Sequence, residues 1–592
     1  CNPIIFHSHH NPSLNFDSIM YKFVEPAVND LWANKFGDAE VEIERYKDQI
    51  PRVALYYAQC CVLKASMTGK VDTKKDAMNR LKAAAKLCKK TNVTELSEFV
   101  VKKNKEALEH EEVPKERTKD VIGLGDNIEC EPLQVKEKPR VITDVDDMVL
   151  NMTWDLKSMR GTILLWIGLT ELQMSNYIKG AYHMRKAWGI LYSLYKDLKK
   201  DSCDQIHPDV KDNINSSVGT FFFMLSILPS AVMTLLEVIG FVADREEGIS
   251  ILTDVVRANS AVSPIAAMML AVNMFIPRAL TPLEDILKGY KPILEFYIEE
   301  YPTSAFFRLL ASHYVRKVGA VELATKHLEY GIQICTELNI EQNIFNFELA
   351  QSYFMNMEFD QACERFGVLV RKEEKLEMKS IAALQLCSCL YKVGRLDEID
   401  GVWNAIPKMV VKKSRIDKMS IGLYENIKKT AGKSVELRNL LLVLAGYQIL
   451  FLRRDIAHLH KEAAQTVLEL FDADTKETIK LTSSPDAFVS IKVIRSQMLA
   501  LVDQEDEARA ELKRILEYAD IKKVKQHQWL VSAYYESCEN AYRDGNKALA
   551  LEHVQKALKY KGYPMEEVVR SRCQLAKKQL VKELAAEKHH QQ

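Results

Sequence analysis

At 592 residues the chain exceeds a single compact domain, so it forms either several domains or one extended array of repeats. Lysine plus arginine and aspartate plus glutamate each number 81, and this balance disfavours nucleic acid as the main ligand, because nucleic-acid binding requires an excess of cations. Local basic runs, such as the one from Lys86 to Lys90, are interpreted as solvated helix faces.

The cysteine and histidine patterns predict no metal site. None of the 12 cysteines forms a C-x-x-C pair, which zinc knuckles require, so we interpret them as buried, reduced thiols in a reducing compartment. The histidines at the N-terminus have no neighbouring acidic or thiol ligands, and residues 1–22 are predicted to be a flexible terminus; these histidines are His7, His9 and His10. We therefore expect neither a metal nor another cofactor.

Helical periodicity dominates the chain. Glycine (22) and proline (17) are scarce, apolar residues recur at spacings of three and four, and no alternating strand pattern occurs, which predicts an all-α fold. Residues 109–147 break this pattern with three prolines, many charges and no apolar stripe. We interpret this stretch as an exposed, mobile linker that separates a helical block at 23–108 from the larger remainder.

The segment from Leu349 to Phe366 has the spacing of a tetratricopeptide repeat, in which two antiparallel helices form a hairpin. Leu349, Ala350 and Tyr353 match the first helix, and Ala362 and Phe366 match the second. Alanine is expected where the two helices cross because its methyl group lets the backbones approach, while the aromatic residues fill the space between hairpins.

The same spacing recurs along the chain and predicts a tetratricopeptide-like solenoid with a right-handed superhelix. The recurring small and aromatic positions are Ala311, Tyr314, Ala324, Gly394, Gly545, Ala550 and Ala557. The predicted blocks after the linker are a helical block at 148–300, central repeats at 301–410, C-terminal repeats at 411–580 and a tail at 581–592.

An uncharged run of 19 residues, 218–236, is long enough to span a membrane. Pro229 lies inside the run and Glu237 follows it, so two short helices that form a buried hairpin near 218–241 explain the run better. Membrane insertion stays open as the alternative. The candidates for a membrane or partner contact are Phe221, Phe222, Phe223 and Leu225.

The stretches "LSILP" (225–229) and "LLEVIGFVADREEG" (235–248) resemble the signature of the tetratricopeptide repeat 39 family, which has fungal relatives in inclusion-body clearance. The similarity extends from about Phe23 to Tyr560, although a phenylalanine, Phe221 or Phe222, replaces one glycine of the family's aromatic run. The resemblance implies a non-enzymatic repeat protein of the cytosolic face. It also implies roles with protein partners and in lipid-related or organelle-surface processes, and it transfers no catalytic residues.

The sequence contains no phosphate-binding loop, dinucleotide fingerprint or zinc-protease motif. We therefore expect a cytoplasmic, non-enzymatic scaffold or adaptor that binds protein partners on the inner face of the solenoid. The best repeat offers Asn343 and Asn346 to such a ligand but no lysine set for clamping a terminal carboxylate.

Two other interpretations compete with the scaffold. One is a peripheral membrane or lipid-linked protein that acts at an organelle surface, either the outer mitochondrial membrane or a lipid droplet, through the hairpin at 218–241. The other, which the absence of motifs disfavours, is an enzyme whose site is assembled from distant residues.

Overall fold

The structure is a computed structural model that describes residues 20–109, 122–125, 128–136, 141–174, 176–200, 203–226, 244–275, 280, 283–411, 414–518, 520–563 and 566–590. Within these residues the chain forms 25 α-helices and no β-strand, and successive helices pack as antiparallel neighbours. The predicted all-α solenoid of helical hairpins is thereby confirmed.

Five helices form the N-terminal block. Their bounds are α1 (Glu25–Trp32), α2 (Phe36–Tyr46), α3 (Pro51–Thr68), α4 (Val71–Lys90) and α5 (Val93–Glu109), and a short 3-10 helix precedes them at Lys22–Val24. The longest pair, α3 and α4, begins with proline in the first helical position, where no N–H is needed, and turns at Gly69 in the left-handed conformation (φ 65°).

Six helices form the next block, which is organised around the 29-residue α6. They are α6 (Val145–Gln173), α7 (Tyr177–Leu198), α8 (Pro208–Leu225), α9 (Arg245–Ala258), α10 (Ser263–Val272) and α11 (Leu283–Glu300). Asp144 caps α6 and Asp244 caps α9, each accepting a backbone N–H three residues later. Because α6 is apolar on nearly all sides, it is buried among α3, α4, α5, α7 and α8.

The remaining helices are the tetratricopeptide-like hairpins and their C-terminal cap. They are α12 (Ala305–Lys317), α13 (Val321–Glu337), α14 (Asn343–Met355), α15 (Phe359–Val370), α16 (Lys379–Lys392), α17 (Leu396–Met409), α18 (Arg415–Ala431), α19 (Val435–Leu452), α20 (Lys461–Leu481), α21 (Pro485–Leu501), α22 (Glu505–Leu516), α23 (His527–Arg543), α24 (Lys547–Ala557) and α25 (Glu566–His590).

A common three-residue turn joins the two helices of five hairpins. Its middle residue is left-handed, with φ between 60° and 86°, and the residue after it donates a 2.9 Å hydrogen bond to the carbonyl five positions earlier. The middle residues are Gly319, Met357, Gly394, Asp503 and Gly545. The sequence pattern included two of the glycines, Gly394 and Gly545, whereas the non-glycine residues Met357 and Asp503 adopt the same conformation at a steric cost.

Within the described parts of the segment 109–147, which is predicted to be an exposed, mobile linker, most residues are exposed but several points of the backbone are bound by other helices. Leu124 is 1% exposed, and helices of the second and third blocks hold the backbone around it. Arg308 Nη1 donates to Ile122 O at 3.0 Å, and Lys291 Nζ donates to Ile128 O at 2.6 Å. Helical periodicity is absent here because the chain is extended, and side chains of other helices satisfy its carbonyls.

The N-terminal block is likewise not separate from the remainder. Residues from Met20 to Leu349 contribute to one continuous apolar cluster. The loop after α3 also reaches the central repeats, where Lys70 pairs with Glu341 and Glu374, and Lys74 Nζ lies 2.6 Å from Glu377 Oε1. The apolar stripes of α3, α4 and α5 are buried by packing against α6.

We predict that Gly394→Ala lowers the free energy of unfolding by about 1 kcal/mol, because a side chain at φ 77° is strained even though a Cβ there would meet open space. The matched control is Gly401→Ala in the middle of α17, which also adds a Cβ into open space. This control should raise the stability by about 0.5–1 kcal/mol. Denaturant unfolding measures both, and a destabilisation shared by the two variants would contradict the turn geometry.

Candidate functional site

The residues that the sequence pattern assigned to helix crossings lie at such crossings. Ala350 and Ala362 are fully buried where α14 meets α15, and Phe366 fills the space beside them. Tyr353 is half-buried, and its hydroxyl donates to Glu329 Oε1 at 2.8 Å on the preceding hairpin. Leu349 of the same hairpin is buried too, and so are the corresponding positions of other hairpins: Ala311, Tyr314, Ala324, Ala550 and Ala557.

Three helices of the central and C-terminal repeats, α14, α16 and α19, pack closely on one another. On α14, Gln351 exchanges amide hydrogen bonds with Gln385 of α16, and Phe354 contacts Tyr447 of α19 edge-to-face with ring centroids 6.3 Å apart. Gly446 allows this approach, because a Cβ there would lie 2.6 Å from Ser388 Oγ. Helices α14, α16 and α19 bury almost all their side chains, so a ligand that bound them would have to displace these contacts. Partner binding on the inner face of the solenoid stays a prediction.

The two asparagines considered for ligand binding are used internally. Asn343 Nδ2 donates to Thr68 O and to Glu341 Oε2, both at 3.0 Å, and so joins α14 to the N-terminal block. Asn346 Nδ2 donates to Gln342 O at 3.1 Å. Neither residue lines the open surface described below.

An open cleft remains where the C-terminal ends of α12 and α19 meet. It comprises a cavity of about 270 Å³ lined by Phe275, His313, Arg316, Lys317, Glu348, Arg453, Asp455 and His458. A neighbouring hollow of about 380 Å³ shares Lys317 and His458 and adds Leu283, Val318, Gly319, Arg454, Ala457, Leu459 and His460. The lining combines four lysine and arginine side chains with two carboxylates and three histidines. We call this surface the polar cleft.

The floor of the polar cleft is a buried ion network. Glu348 Oε2 accepts hydrogen bonds from Arg316 Nη2 at 2.5 Å and from Arg453 Nη2 at 2.8 Å. Arg453 Nε also donates to Asp455 Oδ2 at 2.7 Å. Burial alone would raise the pKa of Glu348, but the two guanidinium groups more than offset this and hold that pKa well below its ordinary value. Both carboxylates are thus fixed by arginines of the protein itself.

His313 forms one wall of the cleft as a neutral ring. Burial, together with the charges of Arg316, Arg453 and Lys317, outweighs the opposing charge of Glu348 and lowers the pKa of His313 to about 3. The ring's Nδ1 lies 2.9 Å from Arg316 Nη2, which donates to it, and its edge meets Phe275 at a centroid distance of 4.7 Å. Phe275 is 45% exposed and forms an apolar ledge at the cleft.

The second hollow is built on strained backbone. Arg454 has φ 66°, and its guanidinium turns away to Glu536 Oε1 at 3.0 Å on α23. Gly319, in the turn after α12, packs near His458 O, which a Cβ would approach to 3.3 Å. The cleft therefore depends on contacts between residues more than 100 positions apart, which sequence spacing does not indicate.

The residues predicted to contact a membrane or partner lie mostly in the core. Three of the four are buried, namely Phe221, Phe223 and Leu225, while Phe222 is half-buried. Trp188 stacks on Phe221 with centroids 4.6 Å apart. Residues 227–243, which include Pro229 and the second half of the predicted hairpin, lie outside the described residues. The proposed contact stays a prediction that would require buried side chains to be exposed.

Composition alone marks α19 as able to cross a membrane, but 78% of it is buried inside the protein. Its polar side chains are paired with neighbouring helices: Tyr447 Oη donates to Asp474 Oδ2 at 2.8 Å, and Gln448 Nε2 donates to Ser490 Oγ at 2.9 Å. These contacts make α19 the central helix of the second apolar cluster.

Most thiols of the described chain are buried. Burial raises the pKa of Cys387 to about 12 and that of Cys88 to about 11, and all cysteines from Cys60 onward are unbridged. No group of three or more histidine, cysteine or acidic side chains among the described residues has the arrangement of a metal site.

We predict a pH effect on stability from His313. Its folded-state pKa of about 3 lies below the ordinary value of 6.5, so the unfolded chain binds more protons between these values and stability falls as the pH drops through this window. His313→Asn should reduce the slope between pH 6.5 and 4.5 by up to one proton, or about 1.4 kcal/mol per pH unit.

Urea unfolding of both proteins across this pH range measures the difference in slope. Other histidines with lowered pKa values, such as His327, remain in the variant, so subtraction isolates His313. Parallel stability profiles would contradict a buried, neutral ring.

One comparison with known proteins matches this chain over its middle. The family model described as Iml2/Tetratricopeptide repeat protein 39 matches residues 164–437, from within α6 to the start of α19. The matched region includes the central hairpins and the half of the polar cleft formed by α12 and α14.

Proposed function

Since the chain belongs to the Iml2/Tetratricopeptide repeat protein 39 family over residues 164–437, we propose that it is a non-catalytic scaffold that binds acidic segments of partner proteins at the polar cleft. Helical-repeat proteins of the tetratricopeptide type mediate protein interactions. Three parts of this function are our own proposal: the binding surface is the polar cleft, the ligand is acidic, and the protein is not a catalyst.

The single observation that carries the proposal is the distribution of charge in the polar cleft. Four cationic side chains line the cleft against two carboxylates, which leaves its lining with an excess of positive charge. Arg316 and Arg453 pair with Glu348 and Asp455, and Arg454 pairs with Glu536, so an acidic ligand would share these donors and meet Lys317 at the cleft. A glutamate or aspartate of a partner would find donors there in a partly desolvated setting, where a charged hydrogen bond is stronger than in water. Phe275 offers an adjacent apolar contact.

The buried inner face supports placing the partner at the cleft. A peptide laid along α14, α16 and α19 would have to displace contacts such as those of Gln351 and Phe354. The cleft is open without any rearrangement, and rigid-body binding is the simpler expectation for packed repeats. We place the complex in the cytoplasm, in keeping with the reduced thiols.

A photo-reactive lysine analogue at position 317 tests this proposal in cells. We expect it to capture a reproducible partner through an acidic segment, while the same analogue at Lys326, an exposed residue of α13, does not capture it. Lys317→Glu should weaken binding of that partner about ten-fold, equivalent to about 1.4 kcal/mol. Recovery of no reproducible partner, or of one that binds the Lys317→Glu variant equally well, would overturn the proposal.

A further inference from the structure

Two outer helices that flank α6 carry a large excess of positive charge. Both α4 and α7 pack against α6. Together they contain eleven lysine and arginine residues against three aspartates, although the whole chain has a formal net charge of zero. With 20 and 22 residues, they extend for about 30 Å each.

The exposed cations of these helices form what we call the basic face: Lys82, Lys86, Lys89, Lys90, Lys179, Arg185, Lys186 and Lys196. The first turns of α4 show the ordinary pattern, in which Lys74 pairs with Glu377, and Lys75 pairs with Asp72. On the basic face, by contrast, none of the eight forms an ion pair with a described carboxylate. The interpretation of Lys86 to Lys90 as a merely solvated run therefore leaves this imbalance unexplained.

Both helices, α4 and α7, pack against α6, and cations of both act on the same histidine ring. His183 of α7 has a lowered pKa, first because of burial, and the charges of Lys186, Lys82 and Lys179 lower it further. Lys82 belongs to α4, so the two helices bring their lysines close enough to act on the same ring. Between the helices, Arg160 of α6 donates to Cys88 O of α4 at 3.2 Å.

Apolar and aromatic groups of α7 are exposed among its cations. Ile178 is 81% exposed and Tyr182, one helical turn later, is 54% exposed. Three lysines lie over tyrosine rings along α7, with distances to the ring centroid of 4.3–4.5 Å: Lys186 over Tyr182, Lys196 over Tyr192 and Lys199 over Tyr195. Exposed isoleucine and tyrosine beside lysine are typical of helices that lie in a membrane interface.

We propose that the basic face docks onto a membrane surface that contains anionic lipid headgroups. Lysine is a compact point charge suited to a diffuse anionic layer, whereas bidentate recognition of nucleic acid favours arginine. Only one of the eight cations is arginine, and the exposed tyrosine ring is already covered by Lys186. Ile178 then enters the headgroup boundary, and the long axes of α4 and α7 lie along the surface.

This inference goes beyond the proposed function and is independent of it. The basic face consists of α4 and α7, whereas the polar cleft is formed around the ends of α12 and α19. Membrane docking by the basic face also differs from the hairpin interpretation at 218–241, because all the side chains of the basic face are already exposed. A scaffold docked in this way holds its partner at an organelle or plasma membrane surface.

Vesicle flotation of the full chain tests the docking. We expect flotation with vesicles of phosphatidylcholine plus phosphatidylserine, no flotation with phosphatidylcholine alone, and loss of binding as salt is raised. Each lysine removed should weaken partitioning about five-fold. The combined variant Lys82→Glu, Lys86→Glu, Lys179→Glu and Lys186→Glu should therefore weaken it by at least about a hundred-fold.

A control variant with the same net charge replaces four exposed lysines elsewhere by glutamate, namely Lys326, Lys429, Lys577 and Lys578. It should float like the wild type. Circular dichroism compares the folding of both variants, and the salt dependence of the wild type tests the proposal without any substitution. Ile178→Ser with Tyr182→Ser should weaken partitioning about ten-fold through lost apolar contact.

The proposal is overturned if the wild type does not float with anionic vesicles, or if the basic-face variant floats as well as the control. Retention on nucleic acid or polyglutamate without flotation would assign the basic face to another polyanion and would equally overturn it. The flotation experiments do not involve the polar cleft. A negative flotation result therefore does not affect the partner-binding proposal, which the cross-linking experiment at position 317 tests.

Discussion

The close approach of paired helices is the constraint on which this structure depends. At several crossings any side chain larger than a hydrogen atom does not fit: a Cβ on Gly248 would lie 2.7 Å from the backbone nitrogen of Phe223, and one on Gly331 would lie 2.1 Å from the ring of Phe345. Gly168 and Gly180 face each other across α6 and α7 in the same way. Such contacts let whole helices become core elements, buried on every side.

That packing decides where the protein can bind anything. The helices that would line an open groove, such as α14 and α19, instead contact each other through Phe354 and Tyr447. The accessible charged side chains lie instead in two places. One is the polar cleft at the ends of helices, which the ion network around Glu348 lines, and the other is the surface of the outer helices α4 and α7. Partner capture and membrane attachment would then use separate surfaces, with the buried interior as a rigid connection between them.

The sequence predicted well what depends on neighbours in the chain. Periodicity gave the helices, Ala350 and Ala362 marked a crossing, and the resemblance to the tetratricopeptide repeat 39 family is confirmed by the match at 164–437. Contacts between residues that are distant in the chain produce no recognisable pattern in the sequence. The contacts that bind the predicted linker are one example, because Arg308 and Lys291, which donate to two of its carbonyls, lie over 150 residues away. The burial of α14, α16 and α19 and the polar cleft depend on how distant helices pack together, which repeat spacing does not specify.

Thiol accessibility within one hairpin tests the filled interior most directly. Gln351→Cys places a thiol on the inner face of α14, and Gln361→Cys places one on the exposed surface of α15. Peptide-level mass spectrometry distinguishes the introduced cysteines from the native ones. We predict that the cysteine at position 361 reacts at the rate of a free thiol. Position 351 should react only as fast as the protein opens, orders of magnitude more slowly. Equal labelling of both positions would mean that the inner groove is open and would contradict the packing described above.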